Sequence, residues 1–205
     1  MGSINLQVGA SSDDARETSG TVSLTSGQGN TSGANIWLGF RWPSVTVGNA
    51  ATINSATFRP RIVSTSNDTP NGATVGLEDV DNAAAFTTGT NNLSGRSRPD
   101  TVAWSGSNIG AGAHDIDVTA QVQRNVNRAG WASGNAMACL VRGVSGTDLS
   151  LVFYDGTPAD AAELIIDYTE VGGRAARVVM SGVLMVNAGG AMVNAGGAMG
   201  QQISL

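Results

Sequence analysis

The chain has no lysine, one cysteine and one histidine among 205 residues, and only 5% of it is aromatic and 13% charged. Each shortage removes a class of explanation. With Cys139 alone, no disulfide can close within the chain. Its setting, Asn135-Ala136-Met137-Ala138-Cys139-Leu140-Val141, marks it as a small core hydrophobe, since a nucleophilic cysteine wants an electropositive, accessible place. All eleven basic residues are arginine, a bias that reflects a GC-rich genome and carries no mechanism. Against sixteen acidic residues they leave a net charge of −5 and a pI of about 4.6. Nonspecific nucleic-acid binding needs clustered cations, so no nucleic-acid partner is expected. The longest apolar runs are strand-sized, so no membrane span is expected. No basic n-region and apolar h-region follow Met1, so no secretory signal is expected either.

What the chain does have is apolar residues (41%) and glycine (28 residues), with many Ser, Thr and Asn. That mixture fits short strands joined by numerous turns, and the length suits one β-sandwich. Period-two or short apolar runs predict strands at Ile4–Val8, Thr21–Thr25, Thr52–Val63, Ala73–Val80, Ala136–Arg142, Leu149–Tyr154 and Glu163–Tyr168. Between them, Ile36, Leu38, Phe40 and Trp42 form one face of a strand, with Trp37, Gly39 and Arg41 opposite and Pro43 ending it. Pro60 predicts an edge or a bulge inside Thr52–Val63. One segment breaks the β pattern: Val118, Val122 and Val126 recur every four residues from Asp117 to Gly130. This predicts a short amphipathic helix capping an open end of the sandwich, with Asp117 or Thr119 at its start and Gly130 closing it.

From Val171 the character changes. Gly172 to Arg177 reads as a linker, and Met185-Val186-Asn187-Ala188-Gly189-Gly190-Ala191 is repeated identically from Met192 to Ala198, with Met199 opening a third unit. Paired glycines cost about 2 kcal/mol of helix propensity per unit, so the repeat predicts short extended segments rather than a heptad helix. Such a tail cannot bury its own Val183, Leu184, Met185, Val186, Met192, Val193 and Met199. It is expected to pack on its own domain, a symmetry mate or a neighbouring protein. The expected fold is therefore all-β: a jelly-roll-type β-sandwich over residues 1–170 with one short capping helix, then a Gly-rich repeat assembly tail over 171–205.

Four stretches carry a family resemblance: Gly76-Leu77-Glu78-Asp79-Val80-Asp81-Asn82-Ala83-Ala84-Ala85-Phe86, Val126 to Ala136, Phe153-Tyr154-Asp155-Gly156-Thr157-Pro158 and Ala162 to Tyr168. Together with Val102-Ala103-Trp104 they resemble the β-sandwich (jelly-roll) domains of phage structural and bacterial surface proteins, of the DNRLRE or carbohydrate-binding-module-like type. The resemblance spans residues 5–170. It implies the sandwich fold and a place on a particle or cell surface, and it brings no catalytic residues. Because such modules decorate many unrelated proteins, it implies little more.

Catalytic constellations are absent from the pattern. His114 stands beside Asp115 and Asp117, but no Gly-x-Ser-x-Gly elbow in a strand-to-helix context accompanies them. Carboxylates cluster at Asp13, Asp14 and Glu17 and at Glu78, Asp79 and Asp81. Glu78 and Asp79 lie on opposite faces of a strand and are no prealigned acid–base pair. Asp79, Asp81 and Asn82 are the candidate ligands should the loop take calcium, which accepts irregular sets of oxygens. Trp42 and Trp131 belong to the core, whereas Trp37, opposite the apolar face, is the candidate for stacking on a sugar. The expected function is that of a non-enzymatic virion structural protein, a capsid decoration protein, head fibre or minor tail component on the virion surface. Its expected partners are other virion proteins, such as the major capsid or tail protein, in a homo-oligomer such as a trimer. The rival expectation is a carbohydrate-binding module that attaches to surface glycans.

Overall fold

The structure, a computed structural model, describes residues 1–63 and 68–171, and beyond them the backbone of strands within 177–194. The chain divides into two compact units, Met1–Glu170 and Val171–Leu205.

The first unit is an all-β sandwich with one short helix. Its strands begin with β1 (Gly2–Gln7), β2 (Asp14–Thr18), β3 (Thr21–Ser23), β4 (Gln28–Ser32) and β5 (Ile36–Trp42). There follow β6 (Thr52–Arg59), β7 (Arg61–Ile62), β8 (Ala73–Leu77) and β9 (Val102–Trp104). The remainder are β10 (Gly112–Ala113), β11 (Ile116–Asp117), the helix α1 (Thr119–Val126), β12 (Met137–Arg142), β13 (Asp148–Val152) and β14 (Glu163–Thr169). They form three antiparallel sheets, ordered β1-β14-β6-β11, β10-β7-β13-β4 and β3-β2-β5-β12-β8-β9. The expected long strand over Thr52–Val63 is two strands in two sheets. Pro60, which has no amide hydrogen to give, marks the place where the chain leaves one sheet for the next.

The main core draws on all three sheets. Phe40 of the six-stranded sheet packs on Phe58 of β6, with ring centroids 5.2 Å apart, and edge-on to Phe153 at 5.5 Å. The alternation in β5 is as expected, with Ile36, Leu38, Phe40 and Trp42 all buried.

The outer face of the same sheet is also covered. Ala15, Val22, Ala83, Phe86, Leu93, Ala136, Ala138 and Leu140 form a second buried cluster beneath the segment that runs from Val80 to Arg98. Antiparallel register lines up Ala15, Gly39, Leu140 and Gly76 as one row across four strands. Ala15, Gly39 and Gly76 are small because the covering segment lies on them. A Cβ on Gly39 would stand 2.6 Å from Phe86 Cζ, and one on Gly76 would stand 2.8 Å from the Asp100 carbonyl oxygen. With both faces buried, β12 reads as a continuous apolar run rather than an alternation.

The helix closes the sandwich as expected, and it does so with amides as well as valines. Val118, Val122 and Val126 are buried in the main core. Gln123 accepts from the Ile53 N–H at 2.8 Å and donates to the Ala51 carbonyl at 2.9 Å. Gln121 accepts from the Leu77 N–H at 2.9 Å, and Asn125 donates to the Glu78 carbonyl at 2.9 Å. These side chains stand in for missing strand neighbours on two different sheets. The N-cap is Val118 rather than Asp117 or Thr119 and has no side-chain cap, although Asp117 Oδ1 accepts from the Thr119 N–H at 2.9 Å. Gly130 does not end the helix through a left-handed φ. A Cβ there would meet the Asp81 carboxylate, which Arg128 also contacts.

In the second unit, β15 (Arg177–Met180), β16 (Val183–Ala188) and β17 (Ala191–Asn194) form an antiparallel sheet in that order. Met199 lies outside the described residues.

Candidate functional sites

The expected calcium ligands are engaged by the protein itself. Asp79 Oδ1 lies 2.5 Å from Arg128 Nη1 and 3.4 Å from Arg124 Nε, and Asp81 Oδ1 accepts from Arg128 Nε at 2.6 Å. Asn82 Oδ1 accepts from the Ala136 N–H at 2.9 Å, and Asp100 holds Arg124 at 2.7 Å. The cations these carboxylates meet are thus guanidinium groups carried by the helix and the turn after it. Among the described residues no group of three or more acidic, histidine or cysteine side chains converges as a metal site.

The histidine and its neighbours are likewise dispersed. His114 Nε2 is 2.7 Å from the Gly110 carbonyl, while both Asp115 oxygens receive Arg59 and Asp117 receives Thr119. These bonds hold Asp115 and Asp117 below the usual carboxylate range, Asp115 chiefly through Arg59 and Asp117 chiefly through Thr119. Neither is poised to accept a proton from the imidazole. Cys139 is fully buried in the inner face of β12, and burial pushes its thiol up to about 12.

The first acidic cluster separates by face. Glu17 points outward, where Oε2 accepts from the Leu93 and Ser94 N–H groups at 2.7 and 3.1 Å and so ties the covering segment down. Asp13 pairs with Arg41 at 2.6 Å. Asp14 is completely buried: Oδ2 accepts from the Tyr154 N–H at 2.6 Å, and Oδ1 has no hydrogen-bond partner among the described residues. Desolvation, with smaller contributions from Asp155 and Asp13, raises its pKa to about 7. No feature of the residue sequence distinguishes Asp14 from Asp13, because the distinction is which face each one meets.

Two of the concave surfaces among the described residues lie along the sandwich. One, of about 230 Å³, is lined by Gln7, Arg59, Arg61, Asp160 and Glu163, whose charges pair with one another. The other, of about 380 Å³, runs between β9 and β11 past Trp104, Asp115 and Asp117. Neither gathers free titratable groups around an apolar pocket of the kind small-molecule chemistry uses.

Of the tryptophans, Trp42 and Trp131 are buried in the main core, their indole N–H groups donating to Ala162 and Val47 carbonyls. Trp37 is half-buried on the outer face against the second cluster, and the Arg98 guanidinium lies over its ring at 4.5 Å. A sugar stacking there would share the ring with Arg98.

The repeat tail has a regular pairing. Val186 stands opposite Val193, flanked by the Met185–Asn194 and Asn187–Met192 pairs. Thus the Met-Val-Asn of one repeat pairs with the Met-Val-Asn of the next, equivalent valines facing. Val183 and Leu184 pair with Met180 and Val179 of β15. Comparisons with models of protein families and with curated protein sequences give no match.

Proposed function

We propose that the protein is a non-enzymatic virion structural component, a capsid decoration protein, head fibre or minor tail protein that acts by assembly and surface display. The observation that carries this reading is the self-pairing of the tail repeat. A strand that pairs antiparallel with its own sequence copy can pair the same way with the copy on another chain, an association that is two-fold symmetric by construction. β17 is the last strand of its sheet, so one row of its backbone N–H and C=O groups has no strand neighbour among the described residues. A three-stranded sheet of short strands gains little stability alone and more by adding strands. The sandwich supports the same reading, because Asp79, Asp81, Asp115, Asp117 and His114 are engaged by neighbouring groups of the fold and Cys139 is buried. The resemblance to phage and bacterial surface sandwiches supports placing it on a particle surface, with a major capsid or tail protein as partner.

The test is removal of residues 171–205. The remaining sandwich should keep its thermal midpoint and lose self-association, measured by light scattering, together with incorporation into particles. A truncated protein that assembles as the full chain does would refute the reading.

A further inference from the structure

On one side of the sandwich the edges of two sheets come together. β9 is the last strand of the six-stranded sheet, and β11 is the last strand of the sheet that holds β1, β14 and β6. Part of the opening between these sheets is filled by α1. Gln121 accepts from the Leu77 N–H of β8 at 2.9 Å, and Gln123 accepts from the Ile53 N–H of β6 at 2.8 Å. Thr119 Oγ1 accepts from the Ala56 N–H at 2.9 Å. Next to the helix the opening is a groove of about 380 Å³, lined by Val102 to Ser105 on one side and Asp115 to Asp117 on the other. Trp104 and Ile116, both buried in the main core, form its apolar depth. The register of β11 decides which backbone groups reach this groove. His114 and Val118 give their N–H groups to the Pro60 and Ala56 carbonyls, and Ile116 stands opposite Phe58. Bonding direction alternates along an antiparallel strand, so the N–H and C=O groups of Asp115 and Asp117 turn away from β6, toward the groove.

A strand laid beside β11 bonds its backbone to Asp115 and Asp117, and residues that face each other across such a pair share a face of the sheet. The residue opposite Ile116 therefore lands on Ile116 and Trp104, while those opposite Asp115 and Asp117 meet carboxylates. Both aspartates are exposed. Asp115 is already paired with Arg59. Asp117 accepts from Thr119 and enters no ion pair among the described residues. Their hydrogen bonds hold both carboxyls below the usual range, so both are charged at neutral pH. We propose that β11 and this groove receive an extended basic segment of a partner protein, added to the sheet as a further strand. Apolar and basic residues alternate in that segment, with an apolar side chain on Ile116 and Trp104 and a cation on Asp117. Main-chain bonds supply the affinity and the alternation supplies the specificity. The chain's own repeats lack the second half of this match, because no residue from Val178 to Leu205 is charged. The groove uses no residue of the tail, so this docking does not depend on the assembly reading.

The full-length protein is titrated at low salt with fluorescein-labelled peptides, by anisotropy. One is a hexapeptide of alternating valine and arginine, one alternates valine and glutamate, and one is the first with its arginine backbone amides N-methylated. A last peptide carries the repeat from Val183 to Asn194. The valine–arginine peptide should bind about tenfold more tightly than the others and should slow amide exchange at Asp115 and Asp117. Asp117→Asn should weaken it about fivefold and leave the thermal midpoint in place, since the amide oxygen still accepts from Thr119. No binding of the valine–arginine peptide, or binding unchanged in Asp117→Asn, would overturn the proposal. Equal binding of the methylated peptide, or unchanged exchange at Asp115 and Asp117, would overturn strand addition. Equal binding of the valine–glutamate peptide would overturn the charge assignment, and tighter binding of the repeat peptide would overturn the choice of partner. Truncation of residues 171–205 should leave the affinity unchanged, which separates failure here from failure of the assembly reading.

Discussion

The inner and outer faces of the six-stranded sheet are both buried, yet by different means. The inner face meets two other sheets and is built from large side chains, Leu38, Phe40, Trp42, Leu77 and Met137 among them. The outer face meets a single irregular segment and is built from Ala15, Gly39, Ala138, Leu140 and Gly76, with Phe86 and Leu93 coming down from above. Layered sheets fill the space between them with side chains, so volume there decides stability. The covering segment is held by polar ties. Glu17 receives the Leu93 and Ser94 N–H groups, and Arg96 donates to the Asn92, Ala84 and Ala85 carbonyls while pairing with Glu78 at 2.7 Å. A face covered by a loop thus needs small residues below and charged hydrogen bonds above. A face covered by a sheet needs neither.

The largest expected effect falls on the inner face. Phe40→Ala should cost about 3–5 kcal/mol of global stability in denaturant unfolding, because Phe58 and Phe153 both lose an aromatic partner. On the outer face, Gly39→Val should cost about 2–3 kcal/mol by overpacking against Phe86. Adding Phe86→Ala should return part of that loss, whereas two independent sites would simply add. A double variant less stable than the sum of the singles would break the comparison.

The segment that carries Phe86 is also the part least legible in the sequence. The strands were legible because period two survives wherever one face is large and the other polar, as in Ile36 to Trp42. The cover was not, since residues 80–98 show neither period and announce no partner. The bonding of Gln121 and Gln123 to strand N–H groups was hidden for a similar reason: an amide on a helix reads as solvent-facing until the neighbouring strand ends are known. Of the candidate sites, Trp37 could be found by its place opposite an apolar face. The Arg98 guanidinium over its ring could not, because nothing in the spacing of residues 80–98 says where that segment returns to the sheet.

Asp14 and Glu17, three positions apart on β2, sharpen the contrast electrostatically. Asp14 faces inward with its pKa raised to about 7. The folded state therefore binds a proton that the unfolded chain releases above its ordinary value of 3.8. The stabilisation from the protonated form is complete below that value and is lost as pH rises through about 7. Asp14→Asn should accordingly stabilise the sandwich by about 2 kcal/mol at pH 8 and have little effect at pH 4. Equal effects at the two pH values would show that the carboxyl is ionised throughout. Glu17 faces outward as a charged acceptor. Glu17→Gln should cost about 1 kcal/mol, the difference between charged and neutral acceptors, and hydrogen exchange should place the loss in the Leu93 and Ser94 amides.

The pairing of β1 with β14 also sets a timetable. Gly2 to Gln7 find their partners only in Glu163 to Tyr168, so on a ribosome the opening strand waits for nearly the whole sandwich to emerge before its ladder can form. The self-pairing repeats leave the ribosome later still, after β14. The repeats therefore become available for pairing only after every strand of the sandwich has been made.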